Sequence, residues 1–334
     1  MTDVRFGAFV PQGFMLELVD VPPEEQWKLV VDHAQAIEAL GYDSLWASDH
    51  LHNAPWIDHH RPKGQPKTSA PIFECWSLIA AISQHTSRVR LGQLTTANGF
   101  RAPALLAKIV ASVDVMSGGR VELGIGSGWF EREHLGYGVA FPATRTRIDM
   151  LGEALEIIRS MWTEHEVTFS GTHYTVDRGR CAPKPLQHHV PVLVGGSGPT
   201  TLKIAARLAD KWNYLGRPDG YAPVADRLRE QCEAVGRDFM TIEKTWFDTG
   251  VVVRETEEEA RRAIACARES KAIPEERSWL WGTPEQLVEV LGQFVELGVT
   301  EFVPQFVDYP DQGSLELFAT EVMPAVRRAA ASGG

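Results

Sequence analysis

The sequence has no stretch approaching the roughly 18 uninterrupted apolar residues of a membrane-spanning helix. Met1 to Asp3 leads straight into a strand pattern, without the basic start, apolar core and cleavage site of an export signal. It also lacks any lysine- or arginine-rich run, and 33 basic against 44 acidic side chains leave a formal net charge of −11. That balance argues against nucleic acid or an anionic membrane as main partner. Cysteine is scarce: Cys75, Cys181, Cys232 and Cys266 lie far apart and form no CxxC pair. Reduced thiols in a cytoplasmic protein are the simplest account. No repeat and no break in composition divides the 334 residues, a length that α/β barrels reach as one domain.

What is present is an alternation of short β-type runs with helical periodicity. The spacing predicts strands over Val4–Val10, Asp43–Ala47, Val89–Thr96, Arg120–Ile125, Pro191–Val194, Lys211–Leu215, Ile242–Val253 and Val299–Phe306. It predicts helices over about 24–40, 74–84, 103–116, 144–162, 200–208, 221–235, 255–270 and 315–331, and another that opens at Thr283-Pro284 with Thr283 as N-cap. Residues 164–190 break the rhythm with a β-like excursion around Val167–Val176 and then Pro183-Lys184-Pro185, and are read as an insertion. The polar loop at 50–70, with Pro55, Pro62 and Pro66, is too long for a connector and is read as lid-like.

Eight strands, each followed by a helix, point to a single (β/α)8 TIM barrel over 1–334, with a doubly wound open sheet as runner-up. The barrel is favoured because polar and glycine-rich elements gather at strand C-terminal ends: Gln12, Asp49-His50, Thr95 to Asn98, Ser127 to Trp129, Gly195 to Gly198, Asn213 and Gln305. In a barrel those ends converge on the face where active sites sit.

Among these, Gly126-Ser127-Gly128-Trp129 pairs glycines that let backbone approach a ligand with an aromatic able to line it. A tight strand-to-helix turn with a core tryptophan is the bland counterpart. Gly195-Gly196-Ser197-Gly198-Pro199 opens a helix, where free N–H groups make a phosphate site; it lacks the lysine of a P-loop. His50 is a candidate proton carrier, and the adjacent Asp49 is placed to orient it or to bond a cofactor. His52, His59 and His60 raise a metal question, but no later lysine or strand-end aspartate completes the His-x-His set of barrel hydrolases, so no metal is expected. Glu74 and Trp76 read as capping or packing. Arg145 and Arg147 read equally as cofactor-anion contacts or as surface partners of Asp149 and Glu153. Arg61, Lys63, Lys67, Arg178, Arg180 and Lys184 all fall in the lid and the insertion, a local excess suited to an anionic ligand tail.

Several ordered motifs over about residues 4–216 carry a family resemblance. They are Leu45-Trp-Ala-Ser-Asp-His50, Arg88-Val-Arg-Leu-Gly92, Phe100-Arg-Ala-Pro-Ala-Leu-Leu-Ala-Lys108, Ser117-Gly-Gly-Arg120 and Gly124-Ile-Gly-Ser-Gly-Trp-Phe-Glu131. Pro183-Lys-Pro185, Val194-Gly-Gly196 and Asp210-Lys-Trp-Asn213 complete the set. The chain resembles the luciferase-like monooxygenase superfamily and, within it, the coenzyme F420-dependent oxidoreductase branch. The resemblance implies a (β/α)8 barrel and a deazaflavin cofactor. It implies that Asp49 and His50 approach the ring, with the histidine catalytic, and that Leu94-Thr95 is a non-prolyl cis peptide in a bulge backing it, with Thr96 and Asn98 alongside. It further implies that Ser127, Gly128 and Trp129 line the cofactor and that Gly195, Gly196 and Ser197 hold its phosphate.

One departure matters. Sugar-phosphate dehydrogenases of this branch carry a catalytic glutamate where this chain has Trp129, so reduction of a small organic substrate by F420H2, with His50 as proton donor, is expected instead. The alternatives are an FMN- or FMNH2-using monooxygenase of the same superfamily, a metal-dependent hydrolase, and a cofactor-binding protein without turnover. A homodimer is a candidate assembly, because barrels of this type often dimerise.

Overall fold

The computed structural model describes residues 3–56 and 70–332. Its strands are β1 (Arg5–Phe9), β2 (Ser44–Ala47), β3 (Arg90–Gln93), β4 (Thr96–Ala97), β5 (Leu123–Gly126), β6 (Val167–Ser170), β7 (Thr175–Gly179), β8 (Val192–Gly195), β9 (Lys211–Leu215), β10 (Glu243–Val253), β11 (Trp281–Gly282) and β12 (Val299–Phe306). Around the main sheet the order is β3-β2-β1-β12-β10-β9-β8-β5-β4, parallel throughout. Leu91 in β3 also bridges Val121, just ahead of β5, with Leu91 N–H donating to Arg120 O and Glu122 N–H to Leu91 O, both at 2.9 Å. The sheet therefore closes on itself, and β3 and β4 are two halves of one barrel strand. Counted that way the barrel has eight strand positions, and the fold is the expected TIM barrel rather than an open sheet.

The departures have local reasons. The run read as one strand over Val89–Thr96 leaves the ladder at Leu94-Thr95, where the peptide is cis; β3 then pairs with β2, and β4 with β5. The strand read from Arg120 joins the continuous ladder only at Leu123; ahead of it Val121 makes the single bridge to Leu91, and the Arg120 side chain ties neighbouring elements together. Its guanidinium donates to Ser83 O, Thr86 O, Val89 O and Ser117 O at 2.7–2.9 Å, tying the helix over Pro103–Ser117 to the strand and helix beside it. Gly118 ends that helix in the left-handed region at φ 71°, which glycine adopts without strain. Residues 164–190 carry not one excursion but an antiparallel hairpin, β6 with β7. The last helix is interrupted: Gly313–Leu317 and Met323–Ser332 flank a π-turn over 318–322, next to Pro324, whose ring nitrogen cannot donate to the preceding turn. Thr283 caps its helix in a full capping box with Gln286.

The barrel interior is layered. At the N-terminal ends lies a buried ionic layer: Lys211 contacts Glu122 at 2.6 Å, Glu301 at 2.8 Å and Glu243 at 3.7 Å, Arg5 pairs with Glu243, and Arg90 with Glu122. Ser44 donates to Glu301 at 2.9 Å and accepts from the Trp46 indole N–H at 2.8 Å. The Trp46 layer follows, with Phe9, Leu94, Leu193 and Val303. Here two glycines make room: a Cβ on Gly7 or Gly92 would lie 2.5 or 2.3 Å from Trp46 ring atoms. Large against small across facing strands is how a tapered barrel fills without voids. The larger apolar core lies between strands and helices, around Phe6, Leu45, Leu123, Val194, Trp212 and Phe302. Above the tryptophan layer the interior opens into a cavity.

Candidate functional site

The cavity, of about 470 Å³, is lined at the C-terminal strand ends by segments from around the barrel. Ser48, Asp49 and His50 follow β2, Leu94, Thr95 and Ala97 flank the break between β3 and β4, and Gly126 to Trp129 leave β5. Gly195 to Ser197 leave β8, Asn213 to Leu215 end β9, Phe247 and Thr249 belong to β10, and Gln305 to β12. Phe14, Trp56, Glu133 and Arg277 complete the wall. Ten of the twelve residues singled out from the sequence thus meet in one space. Thr96 and Asn98 are buried beside it without lining it, and Thr96 Oγ1 and Asn98 Oδ1 have no hydrogen-bond partner. Asn98 Nδ2 donates to the Tyr174 hydroxyl at 3.1 Å, so the β6–β7 hairpin reaches back to this edge of the cavity. Residues 57–69 of the lid-like loop, with His59, His60, Arg61, Lys63 and Lys67, lie outside the described residues.

Asp49 does not orient His50. Its carboxylate takes both guanidinium arms of Arg101, at 2.7 and 3.0 Å, and the Ala97 N–H at 2.9 Å. Arg101 also pairs with Glu74, whose carboxylate accepts from Trp76 N–H and Ser77 N–H at the start of its helix. Arg101 thus welds the ends of β2 and β4 to a helix, and Glu74 is a cap as read.

The partner of His50 is Glu133, on the short helix Glu131–Gly136. Its Oε1 lies 2.8 Å from His50 Nδ1, and its Oε2 accepts from Leu51 N–H at 2.9 Å and His52 N–H at 3.3 Å. The imidazole stacks on Phe14 at 4.1 Å and 9°, and meets Trp129 edge-on at 5.6 Å. His52 instead packs edge-on to Tyr137 and Phe130. Among the described residues no three His, Cys, Asp or Glu side chains gather as a metal site.

Part of the wall is backbone. A Cβ on Gly126 would fall 2.6 Å from Thr95 Oγ1, and Gly128 and Gly196 hold φ of 75° and 123°, positions that suit only glycine without strain. Gly198 precedes the helix Pro199–Leu208, and no side chain caps that end. Its first amides are therefore without a side-chain acceptor, the arrangement that can take an anion. A volume within the range of small-molecule sites, aromatic walls and this glycine cradle fit a planar cofactor bearing a phosphate.

Of the basic side chains weighed for an anionic ligand, Arg178 stands exposed and the others that are described are otherwise engaged. Arg145 pairs with Asp149 at 2.9 Å, Arg147 lies 3.7 Å over the Phe141 ring, Arg180 pairs with Glu166 at 2.6 Å, and Lys184 donates to Met161 O at 2.7 Å. Sequence reasoning missed Arg277, which sits 4.8 Å over the Trp56 ring, and the nearby Asp248. Burial pushes Asp248 up to about 7, against the hydrogen bonds from Gly250 N–H and Trp279 and the charges of Arg217 and Arg277.

A family model described as luciferase-like monooxygenase matches residues 4–273. A relative from Microbacterium testaceum named F420-dependent glucose-6-phosphate dehydrogenase is 28% identical over 328 residues, covering 90% of this chain and 93% of its own. One from Mycobacterium tuberculosis named F420-dependent hydroxymycolic acid dehydrogenase is 28% identical over 318 residues, covering 89% and 84%. Among solved structures, an F420-dependent secondary alcohol dehydrogenase in complex with an F420-acetone adduct superposes with a TM-score of 0.79 at 23% identity, over 97% of this chain and 99% of that one. That likeness shows the shared barrel.

Proposed function

The chain belongs to the luciferase-like monooxygenase family, and on that premise we propose that it is a coenzyme F420-dependent oxidoreductase acting on a small organic substrate. The relatives at 28% identity that span nine-tenths of the chain are named for F420-dependent dehydrogenases, which supports the cofactor. The observation that carries the reading is the meeting, in one cavity, of a glycine cradle and an imidazole whose Nδ1 is already engaged.

The bound deazaflavin supplies the hydride chemistry. Gly195, Gly196 and Ser197, with the amides of the helix behind them, would hold its phosphate. Gly126 to Trp129 and Leu94-Thr95 would flank its ring. Thr96 and Asn98 would brace that wall, and Asp49 would anchor it through Arg101 and Ala97 N–H. For reduction His50 acts as the imidazolium: Nε2, first protonated from water, gives that proton to the substrate heteroatom and leaves the neutral ring, and in the reverse direction the neutral ring takes one at Nε2. Reduction is the proposed direction, because Trp129 stands where the sugar-phosphate dehydrogenases of the branch carry their glutamate. Among the described residues no helix is long and apolar enough to cross a membrane; a cytoplasmic homodimer is the assembly we propose, to be checked by light scattering.

Paired titrations of the protein with F420 and with FMN, followed by quenching of its ten tryptophans, test the cofactor. F420 binding without an FMN response is expected. FMN binding alone would overturn the assignment and make oxygen the co-substrate.

A further inference from the structure

We propose that Glu133 is the positioning residue for His50, fixing which imidazole nitrogen exchanges the proton. This inference rests on the reading that His50 moves a proton in the cavity, and it gives a role to a residue that ends the Gly124 to Glu133 motif and carried none there.

The Glu133 carboxylate is 1 % exposed and accepts three hydrogen bonds with a clear division of labour. Oε2 takes the two successive amides of Leu51 and His52, which pins the carboxylate to the loop that carries His50. Oε1 is thereby aimed at Nδ1, 2.8 Å away. An ionised carboxylate only accepts, so Nδ1 must donate, and the neutral ring has its proton on Nδ1 and a bare lone pair on Nε2. The ring plane is set independently, flat on Phe14 and edge-on to Trp129 and Phe130. Tautomer and orientation are thus both fixed before any ligand arrives.

The consequence for the proton step is specific. When Nε2 takes a proton, the imidazolium forms against a buried carboxylate that is already in hydrogen-bond contact. When it gives the proton up, the ring returns to the Nδ1–H form without turning. The logic is that of a base oriented by a third group, reached here from the turn after β5 rather than from the residue next to the histidine.

The test begins on the wild-type protein and needs no cofactor. In protein labelled with 15N-histidine, the His50 signals are assigned by their loss in His50→Ala, and their shifts and couplings report the tautomer above the ring's titration. Nδ1 protonated and Nε2 bare is expected; a proton on Nε2 would overturn the proposal. The second arm is Glu133→Gln, which keeps the size of the side chain but loses the charge and half of its acceptors. There we expect the fixed tautomer to give way to a mixture, with kcat reduced about 10–100-fold while F420 affinity stays within about threefold. A glutamate that merely held the loop would instead raise KM or lower the unfolding temperature and leave the tautomer alone, which would also sink the idea. Should the variant not fold, the wild-type tautomer decides. Should F420 not bind at all, the proposed function falls while the tautomer still decides the role of Glu133.

Discussion

The two ends of the same barrel treat buried polarity in opposite ways. At the N-terminal end three acids, Glu122, Glu243 and Glu301, face three bases, Arg5, Arg90 and Lys211, in ion pairs. Burial alone would raise Glu122, but Lys211 and Arg90 hold it below the usual carboxylate range. For Glu301 burial wins over Lys211, and its value is raised. Burial would lower Lys211, yet its three glutamates outweigh that and raise it. At the C-terminal end Asp49, Arg101 and Glu133 are paired, but other polar groups are left with capacity: Thr96 Oγ1 and Asn98 Oδ1 are unpartnered, and the amides at the Pro199 helix carry no side-chain cap. A satisfied buried network rigidifies; unsatisfied buried groups are costly unless a ligand completes them. The difference teaches which end is for holding the barrel shut and which is for binding.

The sharpest way to test that division is to disable one group at each end. At the top, His50→Ala should cut kcat by about 10²–10⁴ while F420 affinity stays within a few-fold and urea unfolding is little changed. Unchanged kcat would remove His50 from the mechanism. At the bottom the pattern should invert. Lys211→Met leaves three glutamates without their central base, and stripping one partner from a buried ionic cluster costs about 3–5 kcal/mol. Urea unfolding should show that loss, and the protein that remains folded should keep its kcat. A stability near wild type would mean that water reaches this layer and that the two ends differ less than their contacts suggest.

Asp248 sharpens the comparison from the other side, because it is a buried acid near the binding end. Its folded value of about 7 lies above the ordinary 3.8, so the folded state keeps a proton that the unfolded chain releases. The sign follows: the contribution is full below about pH 4 and is lost as pH rises to about 7. Asp248→Asn cannot ionise, so its stability should fall less than that of wild type between those limits, by on the order of 4 kcal/mol. Parallel stability curves for the two proteins would place the Asp248 proton elsewhere.

How much of this was legible in the sequence depends on the range of the contact. The barrel was legible because each strand's end is written locally, in elements such as Asp49-His50, Gly126 to Trp129 and Gly195 to Gly198, and the topology only had to bring them together. The split of the third strand was not written in the spacing, since Val89 to Thr96 reads as one unbroken β run; only the family resemblance, with its bulge at Leu94-Thr95, pointed to the place where its halves part. Glu133 sits 83 residues from His50, among Glu131, Arg132 and His134 on a short helix. It ends a recognised motif, but nothing local says which partner its carboxylate meets. Arg101 was inside a recognised motif, yet its tie to Asp49 crosses 52 residues and no spacing rule reaches that far. Asp49 next to His50 suggested a pair; the fold turns the two side chains to different partners.

The smallest expected effect isolates the cradle from the frame. Gly195 lines the cavity, but its φ is ordinary, and an added Cβ would find only Thr95 Cγ2 at 3.5 Å, a normal contact. Gly195→Ala should therefore fold with stability within about 0.5 kcal/mol of wild type. The same methyl would stand where a phosphate approaches the loop, so F420 affinity should drop about tenfold, or roughly 1.4 kcal/mol. Gly196 could not serve for this test, because at φ 123° an alanine strains the backbone whatever is bound. If Gly195→Ala binds F420 as wild type does, the phosphate lies elsewhere and the glycines after β8 serve only the turn. If it loses stability instead of affinity, that end of the barrel is as tightly packed as the other, and the contrast between them would rest on the imidazole alone.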